Sequence, residues 1–374
     1  MHPNLNLEGG AEYVGLEFLN ALQEDHDVIL FTLEDPDLES LNSFYGTDVE
    51  RGFDVVEVPF PLSLFGRTGD SFNKLRNFLI KWYALRKEDG FDLMVSTHNE
   101  AAFTGKGLQY IHFPDSVNEE LYLDKDEVSF DLGEDRSFIA KIYLNLVKLF
   151  MPDAKEVRNV PAVCNSNYTR NVFDEAFDHE SEVISPPVSI EFESLPDFED
   201  REDAFVCVGG ISPTKDQKGL IRIFDELNKE FDLDLYIIGS GASKYADEVE
   251  NMAEKRDFVH FEGRLSREEM KERISGVKYG IHNQRGEHYG LAPAEMVKAG
   301  CVVFVREKGG QTDIVNNQRE LIFSGESEAV KKISKVVSDD KTRDKVLSRL
   351  DSSGLNSPEE FREKILEKVE EVKQ

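Results

Sequence analysis

The stretch RGEHYGLAPAEMVKAGCVVFV, residues 285–305, changes character twice along its length. It opens on a polar run broken by Gly290. Pro293 then suits a first helical position, and Gly300 suits the end of a short helix. CVVFV is a short apolar, β-branched run of the kind that forms a buried strand. Loop, helix and strand in that order are one turn of an α/β fold. Glu295 falls in the first helical turn and Glu287 in the loop before it. Asp and Glu make up 74 of 374 residues, so two acids at this spacing are uninformative by themselves. Their setting is what matters. A helix N-terminus presents free N–H groups and partial positive charge, which suits a phosphate. A carboxylate on either side of it can grip hydroxyls beside that phosphate.

The same alternation extends outward. AFVCVGG (204–210), LDLYIIGSG, FVHFEG, VKYGIH and ELIFS are strand candidates. KGLIRIFDELNKEF, SKYADEVENMAEK and SREEMKERISG between them are helical. Strands alternating with helices predict a parallel sheet covered on both faces. The N-terminal half repeats the theme with GAEYVGLEFLNALQ as a helix and DVILFTL, FDVVEV, DLMVST, LQYIHF and AVCNS as strands. The expected organisation is an N-terminal domain over 1–185, a proline- and acid-rich linker over 186–203, and a second domain over 204–355. A final helix over 356–374, capped by Ser357 with Pro358 behind it, crosses back to the first domain. Each domain is doubly wound, and ligand binds at the C-terminal strand ends. The chain opens MHPNLNLEGGAE, so a glycine turn and helix arrive with no apolar run before them. Either the true start lies upstream, which is the favoured expectation, or the first domain lacks its first strand.

Net charge is −30 and the isoelectric point is near 4.7. Such a surface repels nucleic acid. Acid spread this evenly resembles proteins of extreme halophiles, with a generic acidic protein as the plainer alternative. Cys164, Cys207 and Cys301 are scattered among apolar runs, which suits reduced buried thiols and gives no metal spacing. No run reaches membrane-spanning length and no signal peptide opens the chain, so a cytoplasmic location is expected.

Six motifs in order then point to a family: GGAE (9–12), NSNYTR (165–170), PPV (186–188), GGISPTK (209–215), EHYGLAPAE (287–295) and KGGQTDIV (308–315). Together they resemble the family-4 retaining glycosyltransferases of the GT-B fold, two Rossmann-like domains facing a cleft. QYIHFP and GIHNQRGEHYGL look most like the α-1,2-mannosyltransferases that elongate lipid-linked oligosaccharides. The resemblance implies a nucleotide-sugar donor and a glycan or polyprenyl- or dolichyl-linked acceptor. It implies that Glu295 holds the ribose, and that Glu287 approaches the donor-sugar hydroxyls and the leaving phosphate. Amides of Tyr289, Gly290 and Leu291 would bind the pyrophosphate, and Lys215, with Lys218 as its competitor, would neutralise it. Gly9 and Gly10 would admit the pyrophosphate or the acceptor, and His112 would face the donor sugar. His98 and Asn99 are acceptor-side candidates, Asn165 and Ser166 shape a turn, and His282 lines the site or packs. The chain departs from the pattern at Gly210, where the family usually has arginine. Arg264 and Arg285 are candidates to replace that charge. No Asp-x-Asp triplet sits in a suitable loop, so neither metal nor other cofactor is implied. A sugar-nucleotide epimerase and a non-catalytic GT-B partner subunit are the competing functions.

Residues 66–87, GRTGDSFNKLRNFLIKWYALRK, hold six basic residues against one acid. Aromatic and apolar residues recur there at helical spacing, Phe78 and Trp82 among them. A basic amphipathic helix of this kind suits an anionic bilayer surface, or packs its apolar face on the core. The apolar helix at 137–152 is a second candidate for the same surface.

Overall fold

The computed structural model describes residues 1–59, 73–119, 122–123, 145–350 and 352–374. The chain divides into two units, one of Met1–Pro187 with Asn356–Gln374, the other of Val188–Leu355. Both are α/β, and among the described residues every strand pairing in them is parallel.

The second unit holds one six-stranded sheet. Its strands are β7 (Glu202–Val208), β8 (Asp234–Ile238), β9 (Val259–Gly263), β10 (Val277–His282), β11 (Val302–Arg306) and β12 (Ile322–Phe323). They lie in the order β12-β11-β10-β7-β8-β9. This is the Rossmann order, with the direction of strand progression reversing between β7 and β10 while every strand stays parallel. Both faces of the sheet are covered, which is why its strands read as unbroken apolar runs. Phe205 stacks on Tyr279 at 4.7 Å between ring centroids and meets Phe224 edge-on at 5.0 Å. Cys207 and Cys301 are buried here and Cys164 in the first unit; burial pushes all three thiols up to about 12.

The first unit is built from β1 (Val28–Thr32) and β2 (Phe53–Glu57) in one sheet. A second sheet holds β3 (Met94–Ser96), β4 (Gly107–Ile111), β5 (Ala162–Cys164) and β6 (Glu182–Val183). No strand precedes the helix Gly10–Leu22. Instead, three residues fill the slot between the sheets. His2 N donates to Phe31 O and Leu33 N to Pro3 O on one side. On the other, the Met1 amino group donates to Val95 O at 2.7 Å and Thr97 N donates to Met1 O. This is the bonding of a central strand, reduced to Met1–Pro3. The final helix, Pro358–Lys373, opens on a Ser357–Glu360 capping box and buries Phe361, Ile365 and Val369 against Val14 and Phe18. Arg362 pairs with buried Glu17 across the same contact at 2.8 Å.

The structure corrects part of the basic stretch. Residues 66–72 and 137–144 lie outside the described residues. Over Asn73–Leu85 the chain is helical, but Phe78 is buried with Leu75 and Val147, so it cannot anchor in a bilayer. Lys81 is also buried, 3.3 Å from Asp115. Among the described residues no helix is long and apolar enough to cross a membrane.

Candidate active site

In an open parallel sheet, loops leaving the strand ends at the point of reversal diverge and leave a crevice. In the second unit those are the loops after β7 and β10. The β7 loop begins at Gly209, whose φ of +139° suits glycine, and a Cβ there would press on the Lys215 chain at 3.2 Å. Lys215 thus folds back over the strand end, and its Nζ lies 3.6 Å from Glu287 Oε2. Lys218 points elsewhere: it bonds Glu248 and sits over the Tyr245 ring at 4.5 Å. Of the two lysines, the geometry brings Lys215 to the glutamate.

Glu287 is held by backbone. Gly310 N donates to its carbonyl at 2.7 Å, and Gly286 N donates to Lys308 O at 2.8 Å. A Cβ on Gly309 would lie 2.5 Å from Glu287 O, and its φ is +131°. Only glycine allows these two loops to approach so closely. The third partner is His282 at the end of β10, with Nε2 3.2 Å from the same carboxylate oxygen. Burial lowers the pKa of His282 despite this bond. A neutral imidazole donating Nε2–H to a carboxylate fits both groups. Burial alone would raise Glu287, but the His282 bond and the Lys215 charge outweigh it and hold the carboxyl below its usual range.

The helix beyond runs Leu291–Lys298, with Gly290 as its N-cap at φ +105° and no side chain capping it. It therefore begins two residues before Pro293, and Glu295 sits in its second turn rather than its first. Proline is tolerated there because amides of the opening turn have no helical acceptor to lose. Tyr289, Gly290 and Leu291 form the junction between loop and helix. Glu295 is mostly buried, with Oε1 3.6 Å from Arg267. Burial raises its pKa and Arg267 opposes the shift without cancelling it. Arg267 also donates to Ser189 Oγ at 2.7 Å. Sequence reasoning missed this arginine, since its only local signal is a helix start after Ser266. Arg306, at the end of β11, was missed too. It donates to Asn283 Oδ1 at 3.2 Å and lies 3.9 Å from Asp216. Gly210 is exposed, and a Cβ there would meet only Ser240 O at 3.8 Å. Arg264 and Arg285 follow β9 and β10. Among the described residues no cluster of three His, Cys, Asp or Glu could hold a metal.

In the first unit, His112 follows β4. Its backbone N–H donates to Asn99 Oδ1 at 2.8 Å, and Thr169 Oγ1 donates to its carbonyl. Its ring Nε2 lies 3.1 Å from Thr97 O, so Nε2 carries the proton and Nδ1 keeps a lone pair. Burial, aided by the neighbouring His98 and His2, depresses His112 to about 3. His98 is likewise depressed to about 4, chiefly by burial. Asn99, in a left-handed turn at φ 63°, is committed to structure: it accepts from His112 N and Phe113 N and donates to Asp115. Ser166 caps the helix Asn167–Phe177. Gly9 is the N-cap of the helix Gly10–Leu22, and its carbonyl accepts from Tyr45 Oη at 2.7 Å. Glu12 lies against it: a Cβ on Gly9 would be 2.4 Å from Glu12 Oε2. Glu12 is held at about 2 despite burial, chiefly by His2, whose Nε2 lies 3.8 Å away. It stands ionised beside the glycine turn.

Comparison with known proteins follows the same division. Residues 191–349 match the family Glycosyl transferases group 1. A GDP-Man:Man(3)GlcNAc(2)-PP-Dol alpha-1,2-mannosyltransferase of Dictyostelium discoideum is 20% identical over 367 residues, covering 85% of this chain and 72% of that protein. The Alpha-1,3/1,6-mannosyltransferase ALG2 of Saccharomyces cerevisiae is 21% identical over 389 residues, covering 88% and 72%. Among solved structures, Anabaena Alr3699/HepE in complex with UDP and glucose superposes with a TM-score of 0.65 at 13% identity, over 99% of this chain and 98% of that one. That likeness gives the fold, GT-B. The chain is a glycosyltransferase similar to mannosyltransferases.

Proposed function

We propose that this glycosyltransferase moves mannose from a nucleoside-diphosphate mannose to a lipid-linked glycan, with retention at the anomeric carbon. The observation that carries the proposal is the Lys215–Glu287–His282 contact at the strand reversal, beside the uncapped start of the helix Leu291–Lys298. Mannose and the lipid-linked acceptor are supported by the named substrates of the relatives. In this reading Glu295 accepts hydrogen bonds from the ribose hydroxyls. The amides of Tyr289, Gly290 and Leu291 cradle the pyrophosphate, and Glu287 accepts from donor-sugar hydroxyls. The bond from the anomeric carbon to the phosphate breaks as the acceptor oxygen bonds on the same face. The acceptor proton passes to the departing phosphate oxygen. Lys215 meets the charge that builds on that phosphate, so no metal is needed for this task.

His112 we assign to the donor sugar, as an acceptor of hydrogen bonds through Nδ1. Gly9 and Gly10 we assign to hydroxyls of sugar or acceptor. Ionised Glu12 beside Gly9 disfavours a pyrophosphate there. The acid-rich surface suits concentrated salt. A lipid-linked acceptor calls for a cytoplasmic enzyme working at the inner face of the cell membrane, in contact with anionic lipid through the basic stretch.

The test is transfer from radiolabelled GDP-mannose, UDP-glucose and UDP-N-acetylglucosamine to a membrane extract. Mannose in the lipid fraction supports the proposal, and another sugar there replaces the donor. Binding without turnover would favour the silent partner that the missing Gly210 arginine suggests. Epimerised donor would favour the isomerase.

A further inference from the structure

The helix Asn73–Leu85 packs its apolar side chains on two neighbouring clusters, with one exception. Leu75 and Phe78 pack on Val147 of the helical residues 145–150, while Ile80 and Ala84 join a neighbouring core. Trp82 is left 40% exposed. On residues 145–150, Val147 points inward, but Leu146 is 39% and Leu149 73% exposed. Six large apolar side chains are this exposed among the described residues, and three of them sit on this helix pair. Trp82 is also held in place. Its ring meets Phe150 edge-on at 5.4 Å, and the Arg86 guanidinium lies over it at 4.2 Å.

The charge around this rim is the reverse of the chain's. Residues 73–87 contain five basic residues and no acid, in a protein of net charge −30. Lys81 is spent internally on Asp115. Lys74 remains on the helix and Arg86 and Lys87 just past its end, with Lys148 beside Leu149. Glu88, the first acid after the helix, is turned inward and accepts from Gly105 N at 2.6 Å and Thr104 Oγ1 at 2.8 Å. Asp89 and Asp92 are the exposed acids beyond it.

We infer that the rim formed by the helix Asn73–Leu85 and residues 145–150 docks on an anionic lipid bilayer, with Trp82 and Leu149 as the inserted side chains. The inference deepens the lipid-linked reading and rests on it for its purpose, though not for its physics. Tryptophan over a cation is suited to the headgroup level, where one end of the ring is apolar and the other wet. A second copy of this chain is the weaker occupant. Like rims repel, and a basic rim against another copy's acidic face gives a head-to-tail contact that need not close. Each basic residue near an anionic surface adds about fivefold to partitioning at ordinary salt. That share fades when the Debye length falls to ~3 Å in molar salt, and the inserted side chains must then carry the binding.

The experiment is flotation of the full chain with acceptor-free vesicles, either phosphatidylcholine alone or with about one third phosphatidylglycerol. Binding to the anionic vesicles at ordinary salt is expected. Trp82→Ser/Leu149→Ser should lower the bound fraction about tenfold or more at both low and molar salt. Arg86→Ser/Lys87→Ser should lower it similarly at low salt only. All four positions are exposed, and thermal melting checks that each variant folds like the wild type. The inference is overturned if the wild type fails to float. It is overturned equally if the folded variants float like the wild type, or if the rim instead makes oligomers that the same substitutions dissolve. Transfer to a short-chain acceptor in detergent, measured alongside, tests the proposed reaction without the vesicle.

Discussion

Two sets of strand ends can be compared, one in each unit. After β7 and β10 one carboxylate, Glu287, is kept ionised despite burial by its partners: Lys215 faces it, and the neutral imidazole of His282 steadies it. After β3 and β4 the imidazoles of His98 and His112 are stripped of charge by burial. The first arrangement suits a ligand that carries or develops charge. The second suits hydroxyls, which ask for donors and acceptors and penalise a net charge. Parallel sheets of the same class are therefore suited to different chemistry, because the loops differ in what they leave ionised.

The sharpest way to break this contrast is Lys215→Ala. If the second unit handles the developing phosphate charge, kcat falls by about 10²-fold or more, as for loss of one strong transition-state donor. A His112→Ala loss of equal size, with Lys215→Ala mild, would invert the comparison. Glu295→Ala should follow in size. Hydrogen bonds from hydroxyls to a charged group contribute about 1.5–3 kcal/mol each, so nucleotide affinity should fall at least about tenfold in calorimetry. Gly210→Arg tests the charge balance from the other side. The site has room for a side chain, and a second cation beside Lys215 should raise kcat, by up to about tenfold. A fall in rate would mean that Gly210 itself is required.

The smallest effect concerns stability. The His112 pKa falls from an ordinary 6.5 to about 3 on folding. Between those values the unfolded chain binds the extra proton, so the stability associated with neutral His112 is full above pH 6.5 and is lost as pH falls toward 3. His112→Gln should flatten the slope of stability against pH between about 6.5 and 4 in denaturant titrations. An unchanged slope would leave His112 outside the comparison.

Much of the second unit was legible because buried parallel strands write themselves as apolar runs, as in CVVFV and VKYGIH. The first unit was less so, since its central slot is filled by Met1–Pro3 through backbone bonds that no side-chain pattern announces. At the site, the glycines and acids of EHYGLAPAE could be picked out, with Lys215 and, as one of two alternatives, His282, but not the contacts they make. Arg267 meets Glu295 through the fold, and nothing local in SREEMKERISG marks it for that. Helical periodicity likewise named Phe78 and Trp82 together, and only packing separates the buried ring from the exposed one. Pro293 misled by two residues because Gly290, at positive φ, opens the helix early.

The raised carboxyl of Glu295 has a thermodynamic corollary. A group that burial makes reluctant to ionise, if its ligand needs it as an anion, must shed protons when the ligand arrives. Uptake of the sugar nucleotide would then release protons to solution. Its apparent enthalpy would depend on the ionisation heat of the buffer. If Glu295 holds the ribose as proposed, acidification would weaken that contact before it touched the phosphate contacts, and this helix would be the pH-sensitive half of the site.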